Sequence, residues 1–212
     1  MGMKGQSDIV SIIMIVVMSL GLVSTALMWG LPMIEKRQDT VILERVDKSF
    51  DLNNVNSLPK KIEAVARDGG QVVFSFDIKG KWYLDTESSG ENNNSIRFSF
   101  DSRSYKVDQG KGWVPLSTGN PSSYGSLGID EPSVVFGRTD KTENKFNITY
   151  KVWFRELWKD PIIKDSGYKI VLFAEGAANS VGNSMKISRR SEPKPDPANE
   201  KLMITEINIL FG

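Results

Sequence analysis

The chain has 212 residues, which is room for one apolar segment and one globular domain. Its 27 basic and 26 acidic residues nearly cancel, so charge gives no reason to expect nucleic acid as a partner. The sequence contains no cysteine and no histidine. These absences exclude disulfides, thiolate nucleophiles, Ser-His-Asp and Cys-His catalysis, and histidine-ligated zinc.

The N-terminal part is an uncharged apolar run over residues 9–34. It is longer than the ~20 residues with which a helix spans a bilayer, and Trp29 lies near its far end, a position that indole rings favour at a membrane interface. A cleaved secretory signal is one alternative, with Ser24-Thr25-Ala26 as its small-x-small site. The apolar run continues past that site, however, and only one lysine, Lys4, precedes it. A plain membrane anchor is the other alternative.

The segment that follows, residues 35–53, has the pattern of an amphipathic helix. Its apolar stripe repeats at helical spacing and is formed by Ile42, Leu43, Val46 and Phe50. Glu44 and Lys48 form a favourable pair four residues apart. The sequence is therefore compatible with one helix from about Ser7 to Asn53, with Pro32 as a point where it could kink, one half in lipid and the other half against a domain. The alternative is a membrane helix followed by a separate amphipathic helix.

The stretch Lys4-Gly5-Gln6-Ser7, followed at once by the apolar run, resembles the class III signal peptide of archaeal type IV pilins and archaellins. In that family a prepilin peptidase cuts after the glycine, and the apolar helix stays in the mature protein as its stem. The resemblance implies a cut between Gly5 and Gln6, with Lys4, Gly5 and Gln6 as the processing residues. Residues 44–50 are also similar to the stem continuation of these proteins. One departure is Val10, which stands at the fifth mature position, where bacterial pilins carry glutamate.

The resemblance implies three segments: a leader over 1–5, a stem helix over 6–53 with a membrane span at about 9–34, and an extracytoplasmic domain over 54–212. It places the N-terminus in the cytoplasm and the domain outside, in the cell membrane or in a surface filament of an archaeon. The implied partners are the membrane, the prepilin peptidase and other pilin-like subunits that contact the stem.

Beyond Pro59 the apolar residues alternate with polar ones, which is the period of half-buried strands. The clearest predicted strands are 71–78, 95–100, 145–154, 169–174 and 202–211, and weaker ones are 81–86, 104–108, 112–116, 133–136 and 185–188. The proline-rich segment 191–199 is predicted to be an extended polar connector, and Leu210 and Phe211 are predicted to be buried. The fold class is therefore α+β, a long N-terminal helix followed by a mainly antiparallel β-sandwich or barrel.

No residue is predicted to be catalytic, to bind a cofactor or to ligate a metal. Three Ser-x-x-Lys matches lack the companion motifs of Ser-Lys enzymes and are expected by chance; they are Ser57/Lys60, Ser166/Lys169 and Ser191/Lys194. Four tryptophans follow the apolar run, at positions 82, 113, 153 and 158. Core packing is the favoured role for them over stacking on a sugar or a neighbouring subunit.

Two sequons, Asn93-Asn94-Ser95 and Asn147-Ile148-Thr149, make Asn93 and Asn147 candidate glycosylation sites. Asn93 lies in a polar tract that is predicted to be an exposed loop, and Asn147 lies on the polar side of a predicted strand. The leading hypothesis is a pilin-like structural or interaction subunit. The alternative is a membrane-tethered extracellular binding module, for example for glycans, and an enzyme ranks third.

Overall fold

The computed structural model describes residues 3–86, 93–105, 110, 112–117, 121, 124–143 and 145–212, with only the backbone described for residues 3–8. The chain divides into two compact units, Met1–Val41 and Ile42–Gly212. The first unit is helical, and the second contains the end of that helix, one further helix and all the strands.

Helix α1 spans Met3–Phe50 without interruption and passes through Pro32. This confirms the predicted continuous helix, which ends three residues earlier than expected. It ends there because Asn54 donates its side-chain amide to the carbonyl oxygen of Lys48 (2.7 Å), and Asp51 accepts the backbone N–H of Asn53 (2.9 Å). Among the described residues, α1 is the one helix whose length and composition would let it cross a membrane.

Helix α2, Leu58–Asp68, was not predicted, because Pro59 was interpreted as the start of the strand region. That interpretation was wrong, since proline is tolerated in the first turn of a helix, where its missing N–H has no partner to lose. Gly69 ends the helix with a positive φ of 81° and donates its N–H to the carbonyl oxygen of Val65. The helix buries one apolar stripe, formed by Leu58, Ile62, Val65 and Ala66.

The described residues form thirteen strands. They are β1 Gln71–Ser75, β2 Lys81–Asp85, β3 Ser95–Ser102, β4 Val114–Pro115, β5 Tyr124–Ser126, β6 Ser133–Lys141, β7 Phe146–Phe154, β8 Glu156–Asp160, β9 Asp165–Ala174, β10 Asn179–Ser180, β11 Ser184–Arg189, β12 Lys194–Asp196 and β13 Asn199–Phe211.

These strands build two sheets. The first sheet has the order β1-β11-β13-β9-β8-β5, with β12 also paired to β13, and the second has the order β10-β2-β3-β7-β6-β4. Pairing is antiparallel except between β13 and β9 and between β5 and β8. Both strand orders are open at their edges, so neither sheet is a closed barrel by itself. The predicted α+β class, with a mainly antiparallel β-rich domain after the helix, is confirmed.

Most predicted strands overlap an observed one, but four short elements were missed: β5, β8, β10 and β12. Strand β12 lies inside the segment that was predicted to be a connector, and it pairs with the start of β13. In the weak prediction 104–108, residues 104 and 105 are not in a strand, and 106–108 lie outside the described residues. The predicted burial of Leu210 was wrong, since it is 37% exposed. Phe211 is partly buried, and its ring lies 6.4 Å from that of Trp82.

One hydrophobic core is shared by both sheets, by α2 and by the last turns of α1. From the first sheet it takes residues such as Ile187 and Ile207, and from the second sheet Phe98 and Val152. A smaller cluster is formed by Trp158, Val171, Leu202 and Ile204.

Asn94 joins the two sheets from a fully buried position, 1% exposed. Its side-chain amide donates to the carbonyl oxygens of Phe154 (2.8 Å) and Ile170 (2.7 Å), and its side-chain oxygen accepts the N–H of Leu172 (2.9 Å). Its φ of 51° lies in the left-handed region that asparagine tolerates better than most residues. The tract around it was predicted to be an exposed loop. For Asn94 that prediction was wrong, and residues 87–92 lie outside the described part.

Candidate functional site

The first candidate surface is the apolar half of helix α1. The large side chains of residues 9–34 are exposed in the single chain, among them Leu22 (73%) and Met28 (78%). Two of its hydroxyl groups bond within the helix, because Ser19 donates to the carbonyl oxygen of Ile15 and Thr25 to that of Gly21, both at 2.8 Å. Hydroxyl groups that are bonded in this way can face lipid or another helix.

Two glycines in this segment have no role in the fold of the single chain. A Cβ atom added at Gly21 or at Gly30 would meet nothing within 4 Å. Glycine in a helix costs about 1 kcal/mol relative to alanine, so nothing within the single chain offsets that cost. Small residues on an apolar helix let a neighbouring helix approach closely. The surrounding small residues are Ser11, Ser19, Ser24 and Ala26.

The last turns of α1 are buried in the second unit, as the amphipathic pattern predicts. Leu43 is 5% exposed, Val46 is 0% exposed and Phe50 is 2% exposed. The ring centroid of Phe50 lies 5.1 Å from that of Tyr150 and 6.2 Å from that of Trp82. These contacts fix the end of the helix in the aromatic part of the core.

A hydrogen bond between β7 and α1 adds an orientation-dependent contact to this packing. The hydroxyl group of Tyr150 in β7 donates to the carboxylate of Asp47, one turn before the end of α1. Burial, together with this carboxylate acceptor, raises the pKa of Tyr150 above its usual range. The phenol therefore keeps its proton and its hydrogen bond throughout the physiological pH range.

A cleft of about 620 Å³ opens beside the docked end of α1. Phe50, Val134 and Val135 contribute buried apolar surface to it, and Leu116 and Ile129 line it with exposed side chains. Its polar lining residues are Asp47, Lys48, Asp51, Asn53, Ser117, Asp130, Glu131, Ser133, Tyr150 and Arg155. The lining of the cleft is thus partly apolar and partly polar, with more acidic than basic groups.

The polar groups near the cleft are largely paired with one another. Arg155 is 2% exposed, donates to the carbonyl oxygen of Glu131 (3.2 Å) and lies 3.6 Å from the carboxylate of Asp130. Burial lowers the pKa of Arg155, and the charge of Asp130 opposes that change. Lys60 bridges Glu131 (2.6 Å) and Glu63 (2.9 Å). Burial raises the pKa of Glu63, against its bonds to Ser133 and Lys60.

A second groove, of about 770 Å³, is lined by residues of β2, β3 and β7 and of the segments around Lys79 and Val181. Its lining includes Tyr83, Ser99, Asp101, Asn147 and Asn183. Ser99 donates to the side-chain oxygen of Asn147 (2.8 Å), whose amide donates to Asp101 (3.0 Å). The candidate sequon residue Asn147 thus lies in a side-chain ladder along the groove.

The remaining predicted site residues are placed as follows. Lys4, Gly5 and Gln6 lie in the first turns of α1, where only the backbone is described. Asn93 is half-buried beside residues 87–92, which lie outside the described part. In the three Ser-x-x-Lys matches, each lysine is paired with a carboxylate: Lys60 with Glu131, Lys169 with Glu156 (3.6 Å) and Lys194 with Glu206 (2.7 Å).

The tryptophans divide into two groups. Trp82 and Trp158 are each 1% exposed, as core packing requires, whereas Trp113 and Trp153 are half-buried. The ring of Trp113 lies 4.3 Å from the ammonium of Lys151, which is itself only 7% exposed. Within the described ranges, no group of three or more acidic residues is arranged to hold a metal ion.

Two features of the site escaped sequence reasoning. The Tyr150–Asp47 bond joins residues 103 positions apart, and no local pattern marks such a pair. The cleft depends equally on long-range packing between β6, β7 and the helix end. No protein-family model, no curated protein and no solved structure matches this chain. The chain's own residues therefore have to indicate its function.

Proposed function

We propose that this chain is a pilin-like subunit whose N-terminal helix is a membrane anchor and an assembly stem. The observation that carries the proposal is helix α1, one continuous helix of 48 residues. Its residues 9–34 are uncharged and expose their large apolar side chains, and its last turns are buried in the core of a β-rich domain. A helix built in this way serves equally in a bilayer and in a bundle of apolar helices, because both surroundings are apolar.

The two unexplained glycines support the assembly part of the proposal. Gly21 and Gly30 cost the single helix stability and have open space around them. Close approach of a second helix is a role that their lack of a side chain would serve. The other subunits are copies of this chain or related pilin-like proteins that carry the same kind of stem.

Processing follows from the resemblance of the Lys4-Gly5-Gln6 stretch to a class III signal peptide. We infer cleavage by a prepilin peptidase between Gly5 and Gln6, retention of the apolar helix, and display of the domain outside an archaeal cell. We also infer that the two sheets pack face to face as a β-sandwich, since they share one core and are joined through Asn94.

N-terminal peptide mapping of the mature protein tests the processing. A mature chain that begins at Gln6 supports the proposal. One that begins at Leu27 indicates an ordinary secretory signal, and one that begins at Met1 or Gly2 indicates a plain anchor.

Shearing of cells tests the assembly. We expect the full-length protein in a high-mass extracellular fraction, and we expect residues 36–212 alone to be monomeric. Gly21→Leu and Gly30→Leu should reduce the sheared fraction, whereas Val17→Leu, at an apolar position that is not small, should leave it unchanged. A protein found only as a monomer in detergent-soluble membranes, with no pilin-like neighbour on crosslinking, would refute assembly.

A second candidate function is a membrane-tethered module that binds glycans. The groove with Tyr83, Asp101, Asn147 and Asn183 favours it, because an aromatic ring beside amide and carboxylate groups is a surface on which a sugar can stack and form hydrogen bonds. Glycan-array binding that is lost in Tyr83→Ala and Asp101→Ala, but not in Val55→Ala, at an 81% exposed position outside the groove, would support this function.

A further inference from the structure

Two neighbouring turns at one end of the first sheet present isoleucines to solvent. Strands β5 and β8 are parallel, with Ser126 opposite Trp158, so the turns that follow them lie at the same end. The first turn exposes Ile129 (86%), and the second exposes Ile162 (93%) and Ile163 (70%). Single exposed apolar residues are ordinary, but a cluster of isoleucines on two turns marks an interaction surface.

The second turn holds its isoleucines in a fixed arrangement. The carboxylate of Asp160 accepts the backbone N–H groups of Ile162 (2.8 Å) and Ile163 (3.1 Å). The carbonyl oxygen of Asp160 accepts the N–H of Lys164 (2.9 Å), and Pro161 restricts the chain between them. An ordered turn loses little conformational entropy when it docks, which favours a role in binding.

The cleft beside the end of α1 has the complementary character. Phe50, Val134 and Val135 give it apolar surface, and Leu116 and Ile129 are exposed along it. A cleft of about 620 Å³ is within the range of sites that enclose small ligands, and so it can admit two apolar side chains.

The charges of the two surfaces are also opposite. Asp51 lines the cleft and is exposed, and Lys159 is exposed immediately before the isoleucine turn. Within the described part of the chain, neither residue forms an ion pair. In its own chain the carboxylate of Asp51 accepts hydrogen bonds from Asn53, so a pairing of Lys159 with Asp51 across two copies would displace no ion pair.

We propose that the turn Asp160–Lys164 of one copy inserts Ile162 and Ile163 into the cleft of a second copy, with Lys159 facing Asp51. The inference rests on the proposed function, because assembly through the stem brings domains of several copies side by side. It adds a specific contact between the domains, which sets how neighbouring subunits are oriented.

Disulfide trapping in the full-length protein tests the contact, since the chain has no cysteine of its own. An Ile162→Cys variant is mixed in detergent micelles with an isotope-labelled Leu116→Cys variant, and the joined peptides are identified by mass spectrometry. Val181→Cys, at a position that is 72% exposed and outside both turns, replaces Ile162→Cys in the control. We expect the 162–116 crosslink to form at least about tenfold faster than the 181–116 crosslink, a factor that corresponds to about 1.4 kcal/mol of preference.

Ile163→Asp in the Ile162→Cys partner should reduce crosslinking to the control rate. Because Ile163 is exposed, this change should leave the melting temperature of the domain unaltered, and so a lost crosslink would not reflect unfolding. Equal rates for the 162–116 and 181–116 pairs would overturn the inference. A predominant 162–162 crosslink would also overturn the inference. So would a result in nanodiscs that each hold one copy, if a polarity-sensitive label at position 162 were found buried in the lipid.

Sedimentation of the same samples separates this inference from the proposed function. If the chains associate through their stems but the 162–116 crosslink is no faster than the control, the contact is refuted and stem assembly stands. If the chains neither associate nor crosslink, both proposals fail. If Gly21→Leu weakens association and Ile163→Asp abolishes only the crosslink, both are supported.

Discussion

The hydroxyl of Tyr150 donates its hydrogen bond to the carboxylate of Asp47, and this bond joins strand β7 to the docked end of helix α1. It is the polar complement of the aromatic packing around Phe50. A rotation of the helix about its own axis would break the bond even if the apolar contacts were kept. The pair therefore fixes the orientation of the helix end on the domain.

We expect this bond to make the domain sensitive to alkaline pH. The pKa of Tyr150 is raised in the folded state, so the folded protein holds this proton more tightly than the unfolded chain. The contribution of this hydrogen bond to the free energy of unfolding is complete below a pH of about 10, the pKa of Tyr150 in the unfolded chain. It is lost as the pH rises above that value. Urea unfolding of residues 36–212 between pH 8 and pH 11 measures the effect, and Tyr150→Phe should flatten the decline. An identical decline in Tyr150→Phe and in the unchanged protein would contradict this assignment.

Phe50 should contribute more to stability than any other residue of the docked helix end. It is 2% exposed and contacts three aromatic rings, those of Phe76, Trp82 and Tyr150. Phe50→Ala should lower the free energy of unfolding by about 3–5 kcal/mol, as is typical of a buried phenylalanine. Val41→Ala, at a position that is 47% exposed, is the matched control and should have little effect. Comparable losses in the two variants would show that the docking is not specific.

Asn94 should be indispensable for joining the sheets. Asn94→Gly retains the positive φ but leaves two carbonyl groups and one N–H group without their side-chain partners. Each unsatisfied buried group costs about 1–3 kcal/mol, so we expect a loss of at least about 3 kcal/mol in chemical unfolding. Asn183→Ala, at an exposed asparagine, should change stability by less than about 0.5 kcal/mol. A small loss for Asn94→Gly would mean that water replaces the side chain.

At the C-terminus, Ile209 rather than Leu210 should matter. Ile209 is 0% exposed, whereas Leu210 is 37% exposed on the other side of β13. Ile209→Ala should cost about 2–5 kcal/mol, and Leu210→Ala distinctly less, as judged by thermal melting. Deletion of residues 209–212 should therefore destabilise the domain through Ile209 and Phe211. An unchanged melting temperature after that deletion would show that the end of β13 is dispensable.

The sequence predicts best those elements whose pattern is local. The stripe of Val46 and Phe50, the alternation along β7 and the uncharged run of α1 all follow from side-chain periodicity. Helix α2 was missed because Pro59 was given more weight than the spacing of Leu58, Ile62 and Val65. Leu210 was misassigned because in a strand of nearly continuous apolar residues only the neighbouring strands decide which side is buried.

The candidate sites were harder to predict, because each depends on residues far apart in the chain. Asn94 bonds to residues 60, 76 and 78 positions away, and Tyr150 to one 103 positions away. The composition of the polar tract around Asn94 is that of a loop, and only the folded sheets make its side chain a structural link. The exposed turn with Ile162 has a local signature, Asp-Pro followed by two isoleucines, but its exposure could not be known from that signature.

The last strand of the chain lies in the middle of the first sheet, with β11 and β12 along one edge and β9 along the other. Synthesis therefore delivers β9 and β11 before the strand that lies between them. Until residues 199–211 emerge, β9 and β11 have no strand between them, and their unpaired edges are open to pairing with other chains. A chain at this stage is prone to aggregation through those edges, and quality control of this protein should act on the incomplete sheet.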